Sequence, residues 1–296
     1  MNILVIGSCG FIGSHLCDFF EKDNFVWGVD LVQNTQSNYT ITTGNFDGIE
    51  NLFINHSFDV CINASGNGSV PISMEYPLLD FEKNTQTVIK LLDIIRKFRP
   101  DCKYINLSTA AVYGNPVRLP IVETDELSPI SPYGFHKYCS ELLCKEYAEI
   151  FGVQSINLRL FSIYGERLRK QLFWDLFQKV KKSAQIELFG TGEETRDFIY
   201  IKDFINAVDC IIKYATFDGR SINIASGTET SIKEVVSIFC SHLDIDASVI
   251  FTGKTKEGDP KRWKADISML KKISFTPQYD IREGLKNTVR WLMENK

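Results

Sequence analysis

The chain begins with a short apolar run that leads into three glycines spaced three residues apart. Residues 3–6 read Ile-Leu-Val-Ile, and Gly7, Gly10 and Gly13 follow before a helix-like segment. This order predicts a buried strand, a tight turn and a helix whose first turn faces a phosphate group. Gly7 permits the turn, Gly10 lets the backbone approach a pyrophosphate, and Gly13 lets the helix pack closely on the strand. The free N–H groups and the dipole of that helix attract the anion.

An acidic residue stands at the end of a second apolar run. Asp30 follows residues 25–29, about 20 residues beyond the glycines, as in dinucleotide-binding folds. A carboxylate at this position hydrogen-bonds both hydroxyls of an adenosine ribose and repels a 2′-phosphate. Residues 31–33 offer no arginine that would hold such a phosphate. The sequence therefore predicts a dinucleotide cofactor, NAD rather than NADP.

Length and composition exclude several classes of protein. The 296 residues allow one large domain or two modest ones with an ample core. A net charge of −4 gives no basis for binding nucleic acid, and no run approaches the ~18 apolar residues of a membrane span. Because the first strand follows Met1 almost at once, we expect no signal peptide. Eight cysteines without a C-x-x-C pair and four histidines without ligand spacing predict a reducing cytoplasm and no metal site.

Strand-like and helix-like segments alternate through the first half of the chain. Strands are predicted at residues 58–63, 103–107 and 155–160, and helices at 81–98 and 132–151. Short, continuously apolar strands separated by amphipathic helices indicate a parallel sheet covered on both faces. The predicted fold is therefore α/β, with a doubly wound (Rossmann) parallel sheet.

The pattern changes after Gly165. Residues 1–165 are predicted to form the NAD-binding domain, and residues 166–296 a smaller mixed α/β domain that binds the substrate. The strand predicted at 221–224 is expected to return to the main sheet, so that the two domains are interleaved. Further helices are predicted at 171–183, 203–214, 231–243 and 281–295.

A tyrosine and a lysine lie four residues apart at the start of helix 132–151. At this spacing Tyr133 and Lys137 share one helical face. A phenol with a pKa of about 10 is a poor base, and a nearby ammonium is expected to lower that pKa toward the range for proton transfer. Thr109 is expected to bond the same substrate oxygen as Tyr133. The alternative is that Ser108 or Thr109 only caps the next turn, and of the two we expect Ser108 to do so. An amphipathic helix that carries an unrelated Tyr and Lys is the alternative.

These motifs together resemble the extended short-chain dehydrogenases/reductases, in the nucleotide-sugar epimerase/dehydratase branch typified by UDP-glucose 4-epimerase. The resemblance covers nearly the whole chain, and the motifs occur in the family's order. They are Gly7–Gly13, Asp30, Asn84, Ser108–Gly114, Tyr133 with Lys137, residues 158–161, Tyr164-Gly165, Arg196-Asp197-Phe198, Gly258-Asp259 and Ala265-Asp266.

The resemblance implies a role for each matching position. Lys137 would hold the nicotinamide ribose, Tyr133 would take a proton from a sugar hydroxyl as hydride leaves the same carbon, and Thr109 would orient that hydroxyl. The positions implied in cofactor binding are Gly7, Gly10, Phe11, Ile12, Gly13, Asp30, Asn45, Phe46, Ala64, Ser65, Gly66, Asn84, Tyr133 and Lys137. Asn45 stands where the family usually has Asp. For Asn84 the alternative is an amide on a helix surface.

The positions implied in substrate binding are Thr109, Ser162, Arg196 and Lys256. Arg196 matches an arginine that grips the nucleotide diphosphate, because a guanidinium fork fits paired phosphate oxygens. A surface ion pair with Asp197 is its alternative. Ser162 replaces a common asparagine and Lys256 replaces a second arginine, for which Arg262 is a candidate substitute.

The predicted function is that of an NAD-dependent nucleotide-sugar epimerase, which oxidises C4 of the sugar transiently. Ala110 and Ala111 stand where the family's 4,6-dehydratases carry acids, and methyl groups cannot transfer the protons of water elimination. The alternatives are an NAD(P)-dependent 4-keto-sugar-nucleotide reductase or C4 dehydrogenase, and a catalytically silent NAD-binding regulator. The expected partner is a nucleotide-diphosphate sugar, with no nucleic acid and no membrane, and we expect a homodimer.

Overall fold

The computed structural model describes residues 1–32, 38–41, 47–183, 185–243, 248–254 and 260–295. Its strands are β1 (Asn2–Ile6), β2 (Phe25–Asp30), β3 (Tyr39–Ile41), β4 (Val60–Asn63), β5 (Lys103–Thr109), β6 (Ser155–Leu160), β7 (Ser162–Tyr164), β8 (Gln185–Leu188), β9 (Thr195–Tyr200), β10 (Ser221–Ile224), β11 (Glu229–Ser231) and β12 (Ser248–Phe251). Its α-helices are α1 (Phe11–Phe20), α2 (Asp47–Asn55), α3 (Val70–Glu75), α4 (Pro77–Phe81), α5 (Thr87–Phe98), α6 (Pro132–Phe151), α7 (Gln171–Val180), α8 (Ile201–Tyr214), α9 (Ile232–Leu243), α10 (Ser268–Lys272) and α11 (Ile281–Glu294).

Seven strands form one sheet in the order β10-β6-β5-β4-β1-β2-β3. The pairs from β6 to β3 are parallel. The N–H group of Asn157 donates to the Arg220 carbonyl, and that of Phe161 donates to the Ile224 carbonyl. Because both partners lie four residues further along the chain in the second bond, β10 is parallel to β6 as well. Every residue of β4 is buried. Because successive side chains point to opposite faces, both faces of the sheet are covered, and the predicted doubly wound fold is confirmed.

The predicted elements agree with the structure except at some of their ends. Helix α6 and strand β6 have the predicted bounds. The helix predicted at 81–98 is instead the end of α4, a π-helical turn at Glu82–Gln86 and α5. A π-helical turn commonly marks a functional position, and this one buries Asn84.

The chain forms two compact units. The first consists of Met1–Gly114, Glu126–Leu160 and Asp209–Ile222, and the second of Asn115–Asp125, Phe161–Val208 and Asn223–Lys296. Residues 115–125, 161–165, 209–220 and 223–224 therefore lie on the other side of the division that the sequence predicted. The second half of α8 joins the first unit because the Lys103 ammonium, on β5, donates to the Ile212 carbonyl at 2.9 Å. The same ammonium lies 5.0 Å from the centre of the Phe217 ring.

The second unit contains two small sheets. One has the order β11-β9-β7, with β7 parallel and β11 antiparallel to β9, and the other pairs β12 with β8 in parallel. Aromatic rings fill its core: Tyr164, Phe173 and Phe198 lie with ring centres 5.4 to 6.2 Å apart. This is the predicted mixed α/β arrangement. None of the helices in the ranges given above is both long and apolar enough to cross a bilayer.

Candidate active site

The predicted site residues of the first unit follow the carboxyl ends of neighbouring parallel strands. Gly7 follows β1, Asp30 ends β2, Ala64 follows β4 and Thr109 ends β5. These strands are adjacent in the order β5-β4-β1-β2, so their ends meet at one edge of the sheet. The chain leaves β1 in one direction along the sheet and resumes at β4 on its other side. Open α/β sheets bind their ligands at such a switch point.

The glycine-rich turn has the shape that a dinucleotide needs. Gly7 has a φ of +81°, and an added Cβ would lie 2.8 Å from the backbone of Ala64 and Ser65. An added Cβ at Gly13 would overlap the Gly7 carbonyl, which explains the close packing of α1 on β1. At Gly10, by contrast, the Cβ would meet only the Gly7 oxygen among the described atoms, at 3.2 Å. No side chain caps α1. The open side of Gly10 and this uncapped N-terminus fit a pyrophosphate.

Asp30 stands beside this turn. Its Oδ2 accepts a hydrogen bond from the Cys9 N–H at 2.8 Å, and its Oδ1 accepts one from the Leu31 N–H at 2.6 Å. A carboxylate offers about four acceptor sites, so these two bonds leave capacity for two ribose hydroxyls. Asp30 thus holds the glycine-rich turn and keeps acceptor capacity at the place where the sequence predicted a ribose.

Asn84 braces the loop that follows β4. Its Oδ1 accepts from the Asn67 N–H at 3.2 Å, and its Nδ2 donates to the Asn67 carbonyl at 3.1 Å. Gly66 has a φ of +114°, and an added Cβ would lie 2.5 Å from the Asn84 Oδ1. Because Asn84 is buried, the alternative of an amide on the helix surface is wrong. The predicted adenine contacts Asn45 and Phe46 lie outside the described residues.

Three side chains at the end of β5 and the start of α6 come together as predicted. The Ser131 Oγ accepts from the Gly134 N–H at 3.2 Å and so caps α6. In the first turn, Tyr133 is half-buried and hydrogen-bonds the side chain of Thr109. Lys137 is buried, and its ammonium donates to the Leu107 carbonyl of β5 at 2.8 Å. The phenol, the hydroxyl and the ammonium therefore share one end of the sheet.

The roles of two neighbouring hydroxyls differ from the sequence prediction. Thr109, not Ser108, caps the turn after β5. The Thr109 Oγ1 accepts a hydrogen bond from the Ala111 N–H at 3.2 Å. Ser108 is buried and donates to the Glu141 carboxylate at 2.5 Å. The prediction that Ser108 caps this turn is wrong, because its side chain points to α6 rather than along its own strand.

The pKa of Tyr133 moves in the direction opposite to the prediction. Burial raises it to about 12, the hydrogen bond with Thr109 lowers it, and the charge of Asp80 raises it. Burial also lowers the pKa of Lys137 to about 8, although Asp80, Cys144 and Glu141 raise it. Desolvation is the largest influence on both pKa values, and it outweighs the hydrogen bond with Thr109 in one case and the nearby negative charges in the other. The expectation that Lys137 brings the pKa of Tyr133 below 10 is therefore wrong.

Asp80, which the sequence did not single out, has a carboxylate buried beside the tyrosine and the lysine. One oxygen lies 2.7 Å from the His136 Nδ1, and the other accepts from the Asn67 Nδ2 at 3.0 Å. Asp80 belongs to the short apolar helix α4, where nothing in the local pattern distinguishes it from a surface acid. Its position inside the fold comes from the packing of α4 on α6.

Two predicted substrate residues lie together in the second unit. Ser162 on β7 pairs with Phe198 on β9. Arg196 precedes Phe198 by two positions on β9, so Ser162 and Arg196 lie on the same face of that sheet. Arg196 is buried, donates to the Thr195 carbonyl at 2.8 Å and stacks 5.5 Å from the centre of the Trp263 ring.

The alternatives for this region are resolved in part. Asp197 is buried and accepts hydrogen bonds from Ser226, Gly227 and Ala265, so a surface ion pair with Arg196 is wrong. Arg262 forms a two-pronged pair with Glu229 at 2.9 and 3.1 Å. This pairing weakens its candidacy as a phosphate ligand. Lys256 lies outside the described residues.

Comparison with known proteins decides the family. Residues 3–225 match the NAD dependent epimerase/dehydratase family. The chain belongs to this family. It is 30% identical over 313 residues to a putative UDP-glucose 4-epimerase of Methanocaldococcus jannaschii, covering 99% of each chain.

Solved structures agree with this membership. A UDP-N-acetylglucosamine 4-epimerase from Methanobrevibacter ruminantium, in complex with UDP-N-acetylmuramic acid, has a TM-score of 0.90 and 28% identity, with 100% of this chain and 99% of that one covered. A UDP-glucuronic acid 4-epimerase from Bacillus cereus, in complex with UDP-glucuronic acid and NAD, has a TM-score of 0.91 and 26% identity, with 100% of both chains covered. The predicted cofactor, NAD, and the predicted activity, an NAD-dependent nucleotide-sugar epimerase, are confirmed.

Proposed function

We propose that this member of the family inverts C4 of a UDP-sugar, with Thr109, Tyr133 and Lys137 as its catalytic groups. The observation that carries the proposal is the Tyr133–Thr109 hydrogen bond beside the buried Lys137, at the edge of the sheet that also holds the glycine-rich turn. The uridine nucleotide is supported by the relatives and neighbours described above, which are named for UDP-sugars.

Each catalytic residue has a distinct task. Bound NAD supplies a nicotinamide that accepts a hydride from the sugar and returns it. The Tyr133 phenol takes the proton of the C4 hydroxyl, which Thr109 orients through its own hydroxyl. Because burial raises the pKa of Tyr133 to about 12, the phenol is protonated at neutral pH and needs help to act as a base. With a pKa of about 8, Lys137 is mostly protonated at pH 7, and its positive charge favours the phenolate.

Cofactor and substrate selection fall to other residues. Asp30 binds the adenosine ribose and excludes the 2′-phosphate of NADP. Arg196 and Ser162, with Lys256 by resemblance, bind the substrate diphosphate. Ala110 and Ala111 leave the turn after Thr109 without an acid for water elimination, so we expect no dehydration.

Isotope retention tests the proposed reaction. A UDP-sugar deuterated at C4 should give the C4 epimer with its deuterium retained and no free NADH, because the same hydride returns to the carbon from which it came. Tyr133→Phe should bind NAD normally and lose ~10²–10⁴-fold in kcat. Stoichiometric consumption of NAD(P)H with a 4-keto sugar, and no interconversion of epimers, would favour the reductase. Complete inactivity with UDP-, GDP-, dTDP- and CDP-sugars would favour a silent regulator.

The predicted domain roles and the predicted compartment remain proposals. Residues 1–165 with strand 221–224 bind NAD, and the remainder of residues 166–296 binds the sugar nucleotide. The eight cysteines are all free thiols, and four of them (Cys17, Cys61, Cys102 and Cys144) are buried in the first unit. Free thiols are typical of a reducing compartment, which supports a cytoplasmic protein.

An apolar surface on α4 and α6 supports a homodimer. It consists of Leu78, Leu79, Phe81, Phe135 and Leu142, which are 40–70% exposed. The Phe81 ring lies 5.4 Å from the ring of His136, next to Phe135, so the two helices form one patch. Monomeric proteins rarely expose such patches. A twofold axis would place the stripe of α6 against the same stripe of a second copy, because a twofold interface is self-complementary.

Mass measurement in solution tests the homodimer. We expect the wild type to sediment as a dimer and a Phe135→Glu/Leu142→Glu variant to sediment as a monomer. Tyr214→Glu is the control, because Tyr214 is at least as exposed as Phe135 and Leu142 but lies on α8. A wild-type monomer at micromolar concentration would refute the proposal.

A further inference from the structure

A buried ion pair lies behind the three catalytic side chains. Glu141 and Arg159 are each 5% exposed. The Arg159 Nε lies 3.1 Å from both oxygens of the Glu141 carboxylate, and the Nη2 lies 2.8 Å from Oε2. This fork geometry joins helix α6, which carries Glu141, to strand β6, which carries Arg159. Such charge-assisted, two-pronged bonds fix orientation as well as distance.

Three hydroxyl groups complete the network. The Ser108 Oγ donates to the Glu141 Oε1 at 2.5 Å, and the Ser221 Oγ donates to Oε2 at 3.0 Å. The Arg159 Nη1 donates to the Tyr113 hydroxyl at 2.8 Å, and the guanidinium lies 4.9 Å from the centre of the same ring. Ser108 lies on β5 and Ser221 on β10 of the large sheet, and Tyr113 lies in the turn after β5.

The network holds the chain on both sides of Thr109. Ser108 comes directly before Thr109 on β5, and Tyr113 ends the 3-10 turn directly after it. Glu141 lies four residues beyond Lys137, on the helix that also carries Tyr133. The segment that carries the Thr109 hydroxyl is therefore tied to the helix that carries the phenol by bonds on either side.

We propose that Glu141 and Arg159 are positioning residues, which hold Thr109 at hydrogen-bond distance from Tyr133 by binding Ser108 and Tyr113. The inference rests on the proposed catalytic roles of Thr109 and Tyr133. Apolar residues would stabilise this interior at least as well, because burying an ion pair costs desolvation that the pair only partly recovers. A fully bonded polar network instead holds one geometry rigidly. A catalytic hydrogen bond needs that rigidity, because a displacement of ~1 Å lowers rates by ~10²-fold.

Two serines allow a matched test, because each donates one hydrogen bond to the same carboxylate. Ser108→Ala removes the bond beside Thr109, and Ser221→Ala removes the bond from β10. We expect comparable reductions of Tm in both variants. Ser108→Ala should lower kcat for the UDP-sugar about tenfold to a hundredfold with KM nearly unchanged, whereas Ser221→Ala should keep kcat within about twofold.

A pH profile separates positioning from general destabilisation. The hydrogen bond with Thr109 lowers the pKa of Tyr133, so its loosening should move the acidic limb of the kcat profile to higher pH. We expect this displacement in Ser108→Ala and in Tyr113→Phe, which keeps the ring against Arg159, but not in Ser221→Ala.

The outcomes distinguish this inference from the proposed function. Equal kcat and equal pH profiles in Ser108→Ala and Ser221→Ala, beside an inactive Tyr133→Phe, would overturn the positioning role alone. Retained activity in Tyr133→Phe would overturn the proposed function and this inference with it. The predicted result is an inactive Tyr133→Phe, a slowed Ser108→Ala with a displaced acidic limb, and a Ser221→Ala that is less stable but fully active.

Discussion

Replacing the buried Lys137 by Met should inactivate the enzyme and also change its stability in a pH-dependent way. Burial lowers the pKa of this ammonium from 10.5 to about 8. At ~1.36 kcal/mol per unit of pKa, the folded state at pH 7 carries a cost of about 3 kcal/mol for holding the charge. Met fills a similar volume without that charge. Against this gain, the Leu107 carbonyl loses its 2.8 Å donor, which costs about 1–3 kcal/mol.

The pH dependence of this difference has a definite sign. A base whose pKa is lower in the folded state than in the unfolded state binds fewer protons when folded, so stability rises with pH between the two values. For Lys137 the cost is fully present below pH 8 and disappears as the pH rises toward 10.5. Between pH 7 and pH 9.5, the free energy of unfolding of the wild type should therefore rise by about 2 kcal/mol relative to that of Lys137→Met.

Urea unfolding of the apoprotein at both pH values measures this gain. The matched control is Lys145→Met on the same helix, because the Lys145 side chain is 61% exposed. The difference in free energy of unfolding between Lys145→Met and the wild type should not vary with pH. If the difference in free energy of unfolding between the wild type and Lys137→Met stays constant from pH 7 to pH 9.5, burial does not lower the pKa of Lys137.

Three further variants probe other parts of the site. Asp30→Ala should weaken NAD binding and reduce the preference for NAD over NADP, as titration with both cofactors will show. Asp80→Asn removes a charge that raises the pKa of both Tyr133 and Lys137, so both limbs of the kcat profile should move to lower pH. Gly7→Ala forces a side chain into a φ of +81° and against the Ala64 backbone, so it should lose NAD affinity and ~1–3 kcal/mol of stability in a urea titration.

For each of these variants, one outcome would contradict the prediction. A wild type that already prefers NADP would refute the role of Asp30. An unchanged pH profile in Asp80→Asn would show that this carboxylate does not act on Tyr133 and Lys137. Because Asn retains the hydrogen bond from Asn67, a collapse of the fold would be a further contradiction. Normal NAD affinity in Gly7→Ala would mean that the turn tolerates a Cβ.

The sequence by itself determined the features that depend on neighbouring residues. The apolar run before Gly7, and the interval from there to Asp30, specify a strand, a turn and a helix, because backbone conformation is decided within a few residues. The spacing of Tyr133 and Lys137 placed both on one helical face for the same reason. Continuously apolar strands between helices indicated a parallel sheet, because only a sheet covered on both faces buries such strands.

The tertiary structure alone decided the surroundings of those residues. The pKa of Tyr133 and Lys137 depends on burial and on Asp80, and desolvation is set by every element packed around a group rather than by its own helix. Ser108 bonds Glu141, 33 positions along the chain, instead of capping its own turn. A local pattern contains no record of which side chains meet across helices and strands. The sequence therefore predicted which residues are catalytic, and only the folded chain determined the direction in which burial shifts their pKa values and the network that surrounds them.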